Sequence, residues 1–264
     1  TVAIVAPSGV LKNYDNYIYK AKELLKNWGL NVIIGKNVFN DAGHFSGTEC
    51  RNGLLRDGLA PRRMMAAALE AAAALRAGVL VAFPTETVYG LGADAFNAEA
   101  VAKVFEVKGR PSFDPLIVHI ASIRDLQRVA VVSEELEGVV RQLAKAFWPG
   151  PLTMVLPKHE DIPDLVTSGL PTVAVRISKH QVMRLLTKDL GPIAAPSANR
   201  FGRISPTSAS AVLDELKGRI PLIVDGGACS NGLESTIIAV EVGEKRPVLR
   251  LLRPGPVTRE ELQK

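Results

Sequence analysis

The 264-residue chain reads as an α/β protein. Three observations predict this. Short apolar runs alternate with amphipathic helical stretches along most of its length. The composition is 47% apolar but only 5% aromatic, with Ala, Val, Leu and Ile abundant, which suits strands buried on both faces beneath close-packed helices. Gly, Pro or hydroxyl residues punctuate almost every change of period.

The elements follow in order. Residues 2–6 read as a strand, 17–28 as an amphipathic helix ended by Gly29, and 30–34 as a second strand, together a small βαβ unit. The polar stretch Arg56-Asp57-Gly58-Leu59-Ala60-Pro61-Arg62-Arg63 marks a boundary, so 1–60 is expected to form an N-terminal segment and 61–264 the main domain. Residues 64–77 form an Ala-rich helix stopped by Gly78. Strands are then expected over 79–83, 116–120, 152–156, 172–177, 193–195, 222–225, 236–240 and 247–252, and helices over 98–108, 123–129, 134–147, 181–189 and 208–216. Ser133 and Thr207 each place a hydroxyl ahead of an amphipathic run, as N-caps do.

The net charge of +5 comes from 32 Lys and Arg against 27 Asp and Glu. Of these, 22 cations and 21 anions fall in 80–264, so any cation there acts locally rather than through a bulk field drawn to nucleic acid. Cys50 and Cys229 make neither a disulfide framework nor a CxxC metal site and read as reduced thiols of a cytosolic protein. No signal peptide is expected at Thr1 to Pro7, and no apolar run is long enough to span a bilayer, since Arg76 interrupts the Ala-rich stretch before Val79. The expected location is the cytoplasm, with no membrane partner.

The strand over 79–83 runs into Pro84-Thr85-Glu86-Thr87-Val88-Tyr89-Gly90-Leu91-Gly92, a cluster of hydroxyls, one carboxylate and two glycines. Lys108-Gly109-Arg110-Pro111 follows the next helix. An isolated pair of this kind would be a solvated helix end. Here Pro111 fixes a turn and a strand follows, so the pair sits between elements, where Arg offers a planar fork and Lys a mobile point charge to phosphate oxygens. Hydroxyls at a strand end beside paired cations are what a small polar substrate next to a phosphate chain requires, and open α/β sheets bind ligands at such strand ends.

Pro196-Ser197-Ala198-Asn199 continues into a long polar lip through Gly202, Ser205 and Thr207, where Ser197 and Asn199 can be turn residues or phosphate and acyl contacts. Within Trp148-Pro149-Gly150-Pro151-Leu152-Thr153, Trp148 reads as core and the Thr153 hydroxyl as a group able to face a cleft. His119 has no partner at metal-ligand spacing and reads locally as a core histidine. Glu234-Ser235-Thr236 and Arg253-Pro254-Gly255 add hydroxyls and a cation at two further strand ends. There is no GxxxxGK[ST] loop and no GxGxxG, so a nucleotide would be held by side chains; Ser8 lacks a GxSxG elbow and is not read as a nucleophile.

In order, PTETVYGLG, KGRP, PLIVHI, WPGPLT, AVR, PSAN, EST and RPG resemble the Sua5/YrdC/YciO family over roughly residues 61–255. The resemblance implies an open, twisted, mixed α/β sheet around a concave basic cavity. It implies synthesis of L-threonylcarbamoyladenylate from L-threonine, bicarbonate and ATP, with release of pyrophosphate and passage of the product to tRNA-modifying proteins. Thr85, Tyr89, His119, Arg176 and Ser235 would then serve L-threonine. Lys108 and Arg110 would bind the phosphates and act in catalysis, and Thr153, Ser197, Asn199 and Arg253 would contact the nucleotide. A magnesium ion would come with ATP and be held mostly by it. Residues 1–60 lie outside this resemblance. Val2-Ala3-Ile4-Val5-Ala6-Pro7-Ser8-Gly9 and His44-Phe45-Ser46-Gly47-Thr48-Glu49 resemble the opening of the LD-carboxypeptidase family, whose catalytic residues lie in later sequence that has no counterpart here, so no peptidase activity is expected. Two other readings stay open: a tRNA or double-stranded RNA-binding module whose basic cavity contacts RNA, and a relative that transfers carbamoyl groups from carbamoyl phosphate.

Overall fold

The computed structural model describes residues 60–263, apart from residue 245, together with four short strands upstream. The first two, β1 (Val2–Ile4) and β2 (Val32–Ile34), pair in parallel, as the ends of a βαβ unit must. The helix expected over 17–28 lies outside the described residues. β3 (Asp41–Ala42) and β4 (Phe45–Ser46) form an antiparallel ladder of their own.

The rest runs α1 (Ala60–Arg76), β5 (Val81–Phe83), β6 (Gly90–Asp94), α2 (Ala98–Lys108), β7 (Ile117–His119), a 3-10 helix (Ile123–Arg128), α3 (Glu134–Phe147), β8 (Leu152–Pro157), α4 (Asp164–Thr167), β9 (Thr172–Arg176), α5 (Gln181–Leu190), β10 (Ile193–Ala194), α6 (Ala209–Leu216), β11 (Leu222–Ile223), β12 (Thr236–Glu241), β13 (Val248–Arg253) and α7 (Arg259–Leu262). Nine strands form one sheet in the order β11-β5-β6-β10-β7-β9-β8-β12-β13. The pairs β11–β5, β7–β9 and β8–β12 are parallel and the others antiparallel, so the sheet is mixed and open.

Alternation along the strands separates two cores. Val81 and Phe83 join Ala71, Leu75, Val182 and Leu186 of α1 and α5 on one face. Ala82 and Ala194 point the other way into the larger core with Val104, Met154 and Ile238. Ala67, Ala68, Ala71 and Ala72 give α1 a buried face of small side chains in the smaller core.

The alternating pattern holds through most of the domain, with informative differences. β6 was not expected, since its Gly-Leu-Gly start has poor strand propensity. Its glycines make room for the Phe83 ring: a Cβ on Gly92 would stand 2.4 Å from Phe83 Cε1. Residues 123–128 form a 3-10 helix rather than an α-helix, opened by reciprocal bonds between Ser122 and Asp125. The single turns α4 and α7 are too short for periodicity to reveal.

Candidate active site

A cavity of about 510 Å³ opens over one face of the sheet, where Ile117 and His119 of β7 and Thr172, Ala174 and Arg176 of β9 line it with residues of β8, β12 and β13, beside the 84–90 and 196–205 loops. Its wall takes residues from stretches far apart in sequence, and each is fixed locally.

Asn97 caps α2 through Oδ1, which accepts from the Ala100 amide at 3.0 Å. Gly109 ends the helix at φ 60°, returning its N–H to Glu106 and Phe105. That stop aims Lys108, almost fully buried, at the 196–199 loop, where Nζ donates to the carbonyls of Ser197 at 2.5 Å and of Asn199. The loop is itself pinned to β6, since Leu91 N–H donates to Pro196 O and Ala198 N–H to Tyr89 O, both at 2.8 Å. Burial first, and Arg110 second, pull the Lys108 ammonium down to about 7. Arg110 bends back onto its own turn, with Nε donating to Asp114 O at 2.9 Å, Nη2 to Pro115 O at 2.8 Å, and an ion pair to Asp114 Oδ1 at 2.9 Å.

On the opposite wall Arg176, at the end of β9, pairs with Glu86 at 2.7 Å and donates to Thr87 Oγ1 at 2.9 Å and to Gly150 O at 3.2 Å. Burial alone would raise the Glu86 carboxyl, but Arg176 and a 2.5 Å bond from Ser178 Oγ outweigh it and hold the group down to about 2. Thr85 Oγ1 donates to Val88 O at 2.7 Å and lies 2.9 Å from Thr87 Oγ1, which sets the curve of the loop. The Tyr89 hydroxyl donates to Gly227 O at 2.7 Å, and burial pushes it well above the usual phenol range. His119 ends β7 beside these groups. Burial first, then Arg176, lowers its imidazole to about 3, so the ring is neutral, and Nδ1 has no hydrogen-bond partner among the described residues.

The third side is built by two adjacent turns. A Cβ on Gly255 would stand 2.4 Å from the Thr236 amide, so glycine lets the turn after β13 lie against the start of β12. Arg253 therefore reaches Ser235, donating to its carbonyl through Nε and to its hydroxyl through Nη2, each at 3.1 Å, and pairs with Glu234. Ser205 Oγ donates to Glu234 at 2.6 Å.

Ten of the eleven expected site residues thus line one cavity: Thr85, Tyr89, Lys108, Arg110, His119, Arg176, Ser197, Asn199, Ser235 and Arg253. Thr153, expected to contact a nucleotide, does not reach the cavity. It is fully buried, and its hydroxyl lies 2.8 Å from Ser235 Oγ, because the parallel β8–β12 ladder sets it behind that serine. Tyr89 lines the cavity but is fully buried in the larger core, and its hydroxyl is engaged by Gly226 and Gly227. Thr87, Asp114, Arg203, Ser205 and Glu234 also line the cavity, and Glu86 pairs with its Arg176. None of the six was among the expected site residues, although Glu86, Thr87 and Glu234 stand inside the motifs and Ser205 in the polar lip. Among the described residues no cluster of three or more His, Cys, Asp or Glu could hold a metal ion.

Fold and wall together define a mixed-sheet α/β protein with a deep, cation-lined cavity formed by converging loops. More particularly, the chain belongs to the Sua5/YciO/YrdC family, whose model, described as telomere recombination, matches residues 73–255. Threonylcarbamoyl-AMP synthase of Pyrococcus abyssi is 51% identical over 195 residues, covering 74% of this chain and 55% of that one. The enzyme of the same name from Pseudomonas putida is 32% identical over 186 residues, covering 70% of this chain and 96% of that one. The crystal structure of P. abyssi Sua5 complexed with L-threonine superposes with a TM-score of 0.69 at 48% identity, covering 76% of this chain and 56% of that one. The chain thus spans about half the length of its Pyrococcus relative.

Proposed function

We propose that residues 61–264 form a threonylcarbamoyl-AMP synthase, consuming L-threonine, bicarbonate and ATP and releasing pyrophosphate. The observation that carries this reading is the convergence of Lys108, Arg110, Ser197, Asn199 and Arg253 on the same cavity as Thr85, His119, Arg176 and Ser235. Residues 1–60 form a separate N-terminal segment in the same proposal.

Threonine nitrogen condenses with bicarbonate, losing water, and an oxygen of the resulting carbamate attacks the α-phosphorus of ATP. The α–β bridging bond breaks, and its electrons leave with pyrophosphate. No covalent enzyme intermediate is needed, so the chain acts by positioning and by charge. Lys108 has no carboxylate of its own and meets the growing charge of the leaving phosphates, with Arg110 and Arg253 beside it. Arg176 takes the threonine carboxylate. Neutral His119 offers Nδ1 to the amino acid without placing a second cation against Arg176. Asp114 and Glu234 are engaged by arginines, so the wall supplies no cage for magnesium, and no step is assigned to that ion.

The product would pass to proteins that modify a tRNA adenosine, and the proposed compartment is the cytoplasm. Among the described residues no helix is long and apolar enough to cross a membrane. The test is incubation of the full chain with all three substrates, reading the threonine adduct of AMP by mass spectrometry and pyrophosphate release in parallel. Both should require threonine and bicarbonate together; pyrophosphate release indifferent to threonine would reject the reading.

A further inference from the structure

The proposed synthesis gives side chains to threonine and to the phosphates of ATP, and none to the base. Of the rings that line the cavity, Tyr89 and His119 are buried, whereas Phe201 is 48% exposed. A single exposed apolar side chain on a protein surface is ordinary. A phenyl ring on the lip of a cation-lined cavity is not, because it adds nothing to the binding of phosphate or of a small polar amino acid. Leu170 and Leu252, the other exposed large hydrophobics on the lining, present no flat face.

The backbone beneath that ring is fixed from several sides. Asn199 Nδ2 donates to the carbonyls of Arg200 and Arg203, each at 2.8 Å, and the Arg203 amide donates to Arg200 O at 3.1 Å. These bonds close a turn over 200–203. Gly202 takes φ 74° within it, and no atom stands within 4 Å of where its Cβ would be, so the backbone conformation and not crowding calls for glycine. Arg200 pairs with Glu215 of α6 at 3.2 Å, tying the turn to the body of the domain. The Phe201 amide donates to Lys108 O at 2.8 Å, while the Lys108 ammonium donates to the Ser197 and Asn199 carbonyls. One residue thus seats the ring through its carbonyl and meets phosphate through its ammonium. Phe201 also lies two residues from Asn199, at most about 7 Å along the chain.

We infer that Phe201 is the platform on which the base of the nucleotide stacks, held at a set distance from the phosphate groups by the 200–203 turn. The inference rests on the proposed synthesis for the identity of that nucleotide as ATP. A phenyl face recognises a planar ring by dispersion and by its quadrupole, without hydrogen bonds. It therefore adds affinity for the base and leaves the phosphate contacts untouched. The threonine end of the cavity, at Thr85, His119 and Arg176, offers no comparable exposed ring.

The experiment compares two ligands, ATP and inorganic tripolyphosphate, by titration calorimetry with the full chain and no other substrate. Phe201→Ala should raise the dissociation constant for ATP about tenfold, within the range that alanine substitution gives for base–aromatic stacking, and leave that for tripolyphosphate within about twofold. Phe201→Leu should fall between Ala and the parent, and Phe201→Trp should match or exceed the parent. The fluorescence that Phe201→Trp adds to that of Trp28 and Trp148 should be quenched by ATP and not by tripolyphosphate. Unchanged tripolyphosphate binding shows that the variants are folded, a result that a purely structural role for the ring would not give. In turnover, the Michaelis constant for ATP should rise in Phe201→Ala while that for threonine holds. ATP binding by Phe201→Ala as tight as by the parent would overturn the inference, as would an equal loss for both ligands. Binding is read without the adduct, so a parent chain that binds ATP through Phe201 and forms no adduct would reject the synthesis and keep the platform.

Discussion

Lys108 and Arg176 are both buried cations lining one cavity, yet they are held in opposite ways. Lys108 is clasped by two neutral carbonyls and depressed to about 7, so its charge is costly and only partly compensated by the more distant Glu234, Asp114 and Glu215. Arg176 faces a buried carboxylate held down to about 2, so its charge is matched and its plane is fixed. The first arrangement stores an unmet demand for anion, which a phosphate chain satisfies. The second sets the orientation of a fork, which suits a small carboxylate. A carbonyl clasp makes a charge available, whereas an ion pair makes it precise in direction.

The hardest test of that contrast removes the clasped ammonium. Lys108→Ala should lower pyrophosphate release by about 10²–10³-fold, the scale of losing one preorganised donor to developing charge. Lys108→Arg should not restore it, since a planar guanidinium cannot occupy a site shaped by two carbonyls around a point charge. Full activity in Lys108→Arg would show that only the sign of the charge matters on that side.

Glu86→Gln tests the other side. It leaves the Arg176 charge buried and unmatched, which costs roughly 3 kcal/mol of stability, visible as a lower melting temperature. The Michaelis constant for threonine should rise about tenfold, with a smaller change in turnover. The Glu86 carboxyl is depressed from 4.5 to about 2, so its contribution is complete above 4.5 and fades as pH falls toward 2. The Gln variant should lose that acid-side slope. An unchanged threonine constant would mean that Arg176 needs no anchor.

Much of this wall was legible in the sequence. Cations and hydroxyls at Lys108, Arg110, Ser197, Asn199, Ser235 and Arg253 follow strands or helices that periodicity reveals, and strand ends gather at sheet edges. What escaped was pairing across the fold. Nothing local in Glu86 announces Arg176, ninety residues away, because that partnership depends on how the 84–89 loop meets β9. Thr153 carries the same chemistry as Ser235, and only the β8–β12 register decides which hydroxyl faces the cavity. β6 was hidden for a different reason: its glycines answer to the Phe83 ring, a packing demand that composition disguises as a loop.

The depressed ammonium also predicts proton uptake. With Lys108 near 7, close to half of the free protein is neutral at pH 7, and bound polyphosphate favours the charged form. Binding of magnesium–ATP should therefore take up about half a proton at pH 7 and more at pH 8. Titration calorimetry in buffers of different ionisation enthalpy, with Lys108→Met as reference, reads the difference. Equal uptake by the two proteins would place the titrating group elsewhere and remove the basis for calling the lysine charge only partly compensated.

The smallest expected effect lies behind the wall. Thr153→Val keeps the shape of the buried side chain and deletes its bond to Ser235, leaving that serine oriented by Arg253 alone. A lost neutral hydrogen bond is worth about 1 kcal/mol, so the threonine constant should rise around fivefold while turnover and the ATP constant hold. Thr153→Ser keeps the hydroxyl and should restore the parent value at some cost in packing. If Val instead weakened ATP, the serine would belong to the lysine's half of the cavity, and the boundary between the two halves would move by one strand.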